Sequence, residues 1–92
     1  MTPPTYLYIR IYWGENKIVI YTGITTDMVR RQREHNMNLS KTTMRYAKAY
    51  TLKEIRYKEQ PAHIAKRYEK TFKRYGTMKK LKMSHNWKRW AG

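Results

Sequence analysis

Residues 5–22 read TYLYIRIYWGENKIVIYT. Between Thr5 and Tyr12, Leu7, Ile9 and Ile11 alternate with Tyr6, Tyr8, Arg10 and Tyr12. Successive side chains on a strand point to opposite faces, so this is a half-buried strand with its aliphatic side inward. Lys17 to Thr22, rich in β-branched residues, reads as a second strand. Gly14 and Glu15 lie between them and suit a two-residue type II′ turn with glycine first. That turn sets Trp13 opposite Asn16, Ile11 opposite Ile18 and Ile9 opposite Ile20, joining the apolar residues on one side. It also sets Tyr8 directly opposite Tyr21 on the other side. A four-residue loop is expected to keep this pairing, and a three-residue loop to break it.

Working outward, Gly23 closes the second strand. Thr25 or Thr26 is placed to cap a helix with Asp27 in its first turn, running to about Asn36. Met28, Arg31 and His35 share one face of that helix. Asn36 to Lys41 reads as a loop, and residues 42–49 stay open between loop and a short helical turn. In residues 50–58, Tyr50, Leu52, Ile55 and Tyr57 alternate imperfectly, as in a third strand with a bulge. Pro61 suits the first position of a helix with an apolar stripe of Ala65, Tyr68, Phe72 and Tyr75, which Gly76 stops. A last basic helix from Met78 to Met83 precedes an aromatic tail with Trp87 and Trp90. The expectation is an α/β (α+β) fold over residues 1–92: one domain with a three-stranded antiparallel sheet flanked by three or more helices.

Charge narrows the function. The chain carries 21 Lys and Arg against six acids, a formal +15 in 92 residues. Such a chain repels itself unless a polyanion is near, and nucleic acid is the natural partner. A membrane surface is the bland rival, but there is no run of 18 apolar residues to span a bilayer. Sixteen of the cations fall in residues 41–92 and five in 1–40. The second half is therefore the phosphate-facing one, unless its charge is merely the solvated face of helices. The absence of cysteine removes disulfides and thiolate metal sites, and fits a reducing, cytoplasmic setting.

These stretches resemble the GIY-YIG nuclease domain. Tyr6-Leu7-Tyr8 stands at its first motif and Tyr21-Thr22-Gly23 at its second. Arg31 and His35 follow Tyr21 by ten and fourteen positions, as the family's arginine and histidine do. Ala65 to Lys73 (AKRYEKTFK) is similar to the stretch around the family's metal-binding glutamate, here Glu69. Ser84-His85-Asn86-Trp87 is similar to the asparagine–tryptophan end of small stand-alone bacterial members. This chain departs from the pattern with Tyr6 for a glycine, Thr22 for an isoleucine, and a longer hairpin between the tyrosines. The longer hairpin leaves Tyr6 as the alternative to Tyr8.

The resemblance implies a metal-dependent endonuclease that hydrolyses phosphodiester bonds in DNA. Tyr8 would be the general base, Tyr21 its assistant, Arg31 the phosphate clamp, His35 a support, and Glu69 the ligand of Mg²⁺ or Mn²⁺. Each role suits its residue type. A carboxylate is a hard ligand for such ions, and a guanidinium fork matches phosphate oxygens. A free tyrosine has a pKa of about 10 and needs a neighbouring cation to act as a base near neutrality. Without the resemblance, Glu69 reads as a surface pair with Lys73, and the tyrosines as packing residues. DNA contact would extend to Tyr6, Gly23, Arg30, Lys66, Arg67, Lys70, Lys73 and Asn86. The alternative is a non-catalytic basic nucleic-acid-binding module on the same fold. A protein partner supplying specificity, or a homodimer, stays open in either case.

Overall fold

The computed structural model describes residues 4–37 and 49–91. The opening stretch forms β1 (Thr5–Trp13) and β2 (Ile18–Thr25), which pair antiparallel. Their loop has four residues, closed by the Gly14 N–H donating to the Lys17 carbonyl at 2.8 Å. It opposes Trp13 to Ile18, Ile11 to Ile20, Ile9 to Thr22 and Leu7 to Ile24. The expected pairing is thus displaced by two residues, and a four-residue loop does not leave it unchanged. An even displacement keeps every side chain on its expected side. It also lengthens the ladder and adds the Leu7–Ile24 contact. Tyr8 now lies opposite Gly23, and Tyr21 opposite Arg10.

β3 (Thr51–Gln60) pairs with the other edge of β1, with an irregularity between Ile11 and Tyr12 where Lys53 is the extra residue. This is the expected bulge, and it puts both Leu52 and Ile55 on the tyrosine side. Among the described residues the sheet has four strands rather than three, in the order β2-β1-β3-β4. β4 is only Lys88–Arg89, paired with Arg56 and Tyr57, and is too short for alternation to reveal it. The Trp90 N–H donates to the Ile55 carbonyl at 2.8 Å, and Glu54 forms ion pairs with both Arg56 and Arg89.

Helices cover both faces. α1 (Met28–Asn36) lies over the tyrosine side, while α2 (Ala62–Lys73) and α3 (Thr77–Met83) pack on the aliphatic side. Two cores result. Ile9, Ile11, Ile20 and Phe72 form one, with Leu81 and Trp87 packed against it. Tyr8, Met28 and Ile55 form the other, with Tyr21, Tyr57 and Trp90 packed against it. Trp87 lies 5.1 Å from Phe72, and Trp90 meets Tyr57 edge-on at 5.9 Å, so the two tryptophans close opposite cores.

Several expected ends move. Asp27, not Thr25 or Thr26, caps α1: its Oδ1 accepts from the Arg30 N–H, while Thr25 Oγ1 accepts from the Asp27 N–H. A cap of this kind is worth about 1 kcal/mol. Pro61 is the residue before α2 rather than its first, and the helix ends at Lys73, so Tyr75 packs on Phe72 from beyond it. Tyr68 is exposed despite its place on the stripe. The expected loop at 38–41 and the undecided residues 42–48 lie outside the described residues.

Candidate active site

The site forms where α1 crosses the tyrosine side of β1 and β2. Tyr8 is central and has no exposed surface. Its hydroxyl lies 2.7 Å from His35 Nε2 and accepts a bond from Arg31 Nε at 3.3 Å. Arg31 Nη2 donates to the Tyr21 hydroxyl at 3.4 Å. The Tyr21 ring sits 4.9 Å from the His35 ring and 6.2 Å from that of Tyr8. Four of the five expected catalytic residues therefore share one cluster. The face reached by Met28, Arg31 and His35 is the one that helical spacing assigned them.

Gly23 makes room for this cluster. A Cβ there would come within 2.6 Å of the Tyr8 hydroxyl and 2.8 Å of Cζ. The ring is buried and bonded to His35, so it cannot retreat. Gly23→Ala is expected to destabilise the fold by about 1–3 kcal/mol, the usual cost of overpacking. Urea unfolding checks this, and a midpoint equal to that of the unaltered protein would show the ring to be free to move.

Burial pushes the Tyr8 phenol well above its ordinary range; Arg31 opposes the rise and Tyr21 adds to it. Burial, helped by the nearby charges of Arg10 and Arg31, lowers His35 to about 4. His35 is 1% exposed, and its Nδ1 has no hydrogen-bond partner among the described residues. The imidazole is therefore neutral at pH 7, and in the tautomer that leaves Nε2 bare it accepts a hydrogen bond from the Tyr8 hydroxyl.

This has a consequence for stability. The unfolded imidazole protonates near 6.5 and the folded one near 4. Between those values the unfolded chain binds more protons, so stability is full above pH 6.5 and is lost as the pH falls through 4. The loss is expected to be on the order of 3 kcal/mol. Urea unfolding from pH 7.5 to 4 should fall more steeply for the unaltered protein than for His35→Asn. Parallel curves would show that His35 is not held neutral.

The other expected residues lie elsewhere. Glu69 is on α2, across the sheet, in line with buried Ala65 and Phe72; its carboxylate is 23% exposed and 3.8 Å from Lys73 Nζ. Arg30 is exposed and 4.0 Å from Glu34. Lys66, Arg67, Lys70 and Lys73 are exposed along α2. Asn86 is exposed, beside a shallow groove lined by Tyr57, Lys58 and Trp87. Tyr6 meets Tyr57 edge-on at 5.9 Å, so Tyr8 rather than Tyr6 is the tyrosine at His35 and Arg31. Sequence reasoning missed Arg10, Gln32 and Asn36. Arg10 donates to Gln32 and Asn36 of α1 and is 2% exposed. The available signal was a cation two residues from Tyr8 on the same side of a strand that proves to be central.

A tyrosine–histidine–arginine cluster on a basic α+β sheet domain is suited to acting on phosphate-bearing polymers. Residues 4–82 match the family model described as the GIY-YIG catalytic domain, and the chain belongs to that nuclease-type family. Comparison with curated proteins and with solved structures finds no significant match. Among the described residues, no helix is long and apolar enough to cross a membrane.

Proposed function

We propose that the protein is a divalent-metal-dependent endonuclease hydrolysing phosphodiester bonds in DNA. The observation that carries this reading is the Tyr8 hydroxyl, lodged between a neutral imidazole and a guanidinium. Arg31 donates to the oxygen, which favours the deprotonated form, and a phosphate bound beside His35 would raise the imidazole's proton affinity, so that Nε2 would take the hydroxyl proton. Tyr8 thereby becomes able to take a proton from water. Its burial asks for one movement. The bonds from Arg31 to the two tyrosines, 3.3 and 3.4 Å, are longer than good N–H···O bonds, and the Arg31 side chain is 32% exposed. An incoming phosphate offers its fork stronger partners. As Arg31 turns toward the phosphate it uncovers Tyr8. Tyr21, half-buried beside them, orients the water.

Glu69 would hold the cation from the other side of β2, which is the edge strand of the sheet, so DNA lying over that edge would meet both the cation and the tyrosine cluster. Glu69 is a hard oxygen donor with only a long ion pair to Lys73. Among the described residues no three acidic, histidine or cysteine side chains gather as a closed metal cage. Mg²⁺ and Mn²⁺ need only one or two carboxylates from a protein, the remaining ligands being water and substrate phosphate. When bound, such an ion neutralises phosphate charge and acidifies water. Lys66, Arg67, Lys70 and Lys73, with Arg30 and Asn86, would track the DNA backbone, while Tyr6 and Gly23 border the site. A cysteine-free chain suits the reducing cytoplasm, and a domain this small leaves room for a partner or second copy that supplies specificity.

The test is incubation with labelled single-stranded, duplex and branched DNA, with Mg²⁺, Mn²⁺ or a chelator. Cutting is expected with metal and none with chelator. No cutting of any substrate would sink the enzyme reading. The sealed position of Tyr8 is what a binding module on this fold would retain, and such a module predicts that second result.

A further inference from the structure

Arg10 stands two residues from Tyr8 on the same side of β1 and is buried. Its described contacts are all to neutral groups: the guanidinium lies 5.6 Å from the centre of the Tyr12 ring, and its nitrogens donate to three neutral acceptors. Nε donates to the Tyr12 hydroxyl at 2.7 Å, Nη1 to Gln32 Oε1 at 2.5 Å, and Nη2 to Asn36 Oδ1 at 3.1 Å. All six acidic side chains of the protein lie among the described residues, and none pairs with it. Glu34 pairs with Arg30 and Arg31, Glu54 with Arg56 and Arg89, and Glu69 with Lys73; Glu15, Asp27 and Glu59 form no ion pair there. A buried cation without a counter-ion is costly, and an apolar side chain of similar volume would pack here at less cost. Packing therefore does not account for it.

The placement of its acceptors does. Along α1, Arg31 and His35 hold the tyrosines, while Gln32 and Asn36, the next residue in each case, hold Arg10. Residues four apart lie one above the other on a helix, so Arg10 grips a row adjacent to the one that meets Tyr8. Apart from Met28, the described contacts of α1 with the sheet run through these long polar side chains. Among the described residues, the turn of the helix about its axis is thus set by Met28 and these polar bonds, and Arg10 makes two of them from one buried side chain.

We infer that Arg10 is a positioning residue: its buried fork, spanning Gln32 and Asn36, sets the rotation of α1 and so holds Arg31 and His35 against Tyr8. This rests on the reading of the tyrosine cluster as catalytic. A second effect follows from charge. The groups facing His35 are Tyr8 and Arg10 from β1, Tyr21 from β2, and Arg31 from its own helix. Arg10 is the one buried, permanent cation among them, and it helps to keep the imidazole neutral.

The experiment compares Arg10→Met and Arg10→Lys with the unaltered protein. It reads thermal melting, kcat and KM for DNA cleavage, and the His35 titration by NMR. Arg10→Met should fold with a lowered melting temperature: it removes a buried charge without a counter-ion, and it leaves Gln32 Oε1 without its donor. Its kcat should drop at least about tenfold with KM little changed, since a buried group cannot touch DNA. Its His35 midpoint should rise by about one pH unit or more. Arg10→Lys keeps the charge but not the fork, so its His35 midpoint should stay low while kcat stays depressed. Unaltered kcat in Arg10→Met, or full activity in Arg10→Lys, would overturn the inference. Should Arg10→Met fail to fold, Gln32→Ala combined with Asn36→Ala frees the helix and spares the charge; wild-type kcat in that variant overturns it equally. If the unaltered protein cuts no DNA, the nuclease reading fails, and the titration alone decides for Arg10. An unmoved His35 midpoint in Arg10→Met then overturns its role.

Discussion

Phenylalanine in place of Tyr8 is expected to slow DNA cleavage by about two to four orders of magnitude, the usual contribution of a general base. The change removes one oxygen and leaves the ring that fills the space over Gly23. Packing therefore survives. His35 Nε2 loses its partner at 2.7 Å, and an unsatisfied buried acceptor costs about 1–3 kcal/mol, a loss visible in thermal melting. Arg31 loses a long bond and is freer to meet phosphate, so KM should hold or fall while kcat collapses. Tyr6→Phe is the matched control. Its ring packs on Tyr57, with no described bond to His35 or Arg31, so the rate at saturating protein should change little even where a DNA contact of its hydroxyl is lost. Single-turnover rates on a labelled substrate decide the matter. Tyr8→Phe cutting as fast as the unaltered protein would remove Tyr8 from the chemistry, and a large loss in Tyr6→Phe would move the role there.

Much of this arrangement was legible in the residues. Alternation in β1 and β2 identified the hairpin and sorted its side chains correctly between faces, and the spacing of Met28, Arg31 and His35 placed them together. The register was misjudged for a definable reason. A displacement of two residues leaves the apolar side apolar, so hydrophobic matching alone cannot separate the two pairings. What decides is the loop, where the Gly14–Lys17 bond closes four residues rather than two. The burial of the tyrosine side was hidden in the same way. A strand that alternates aliphatic and polar residues reads as half-exposed, but β1 is central and is covered on both faces. Tyr8 and Arg10 are buried because of neighbours distant in sequence. β4 has two residues and no pattern to find. The catalytic assignments stood on family spacing throughout, and periodicity supplied only the shared faces.

That distinction matters most at Glu69, where the local pattern and the family pull in different directions. Glu69→Ala is expected to reduce metal-dependent cleavage by about a thousandfold or more, comparable to removing a main source of transition-state charge stabilisation. Its structural cost should be tenths of a kcal/mol. The only described partner of the carboxylate is Lys73, 3.8 Å away at i+4 and exposed, and such pairs contribute little. DNA affinity should be retained or rise slightly, because the substitution removes an acid from a strongly basic protein. Lys73→Ala should do the reverse: if Lys73 meets a phosphate, binding weakens and the salt dependence falls by about one counterion, while metal-dependent cutting persists at saturating protein. The two neighbours on one helix thus separate chemistry from attraction. Fluorescence anisotropy over a salt series measures binding, and nicking with Mg²⁺, Mn²⁺ or chelator measures cutting. Glu69→Ala that nicks normally would exclude this carboxylate as the ligand. Equal binding by both forms, with no metal-dependent nicking in either, would mean that the basic face is the function and the tyrosine cluster only part of the core.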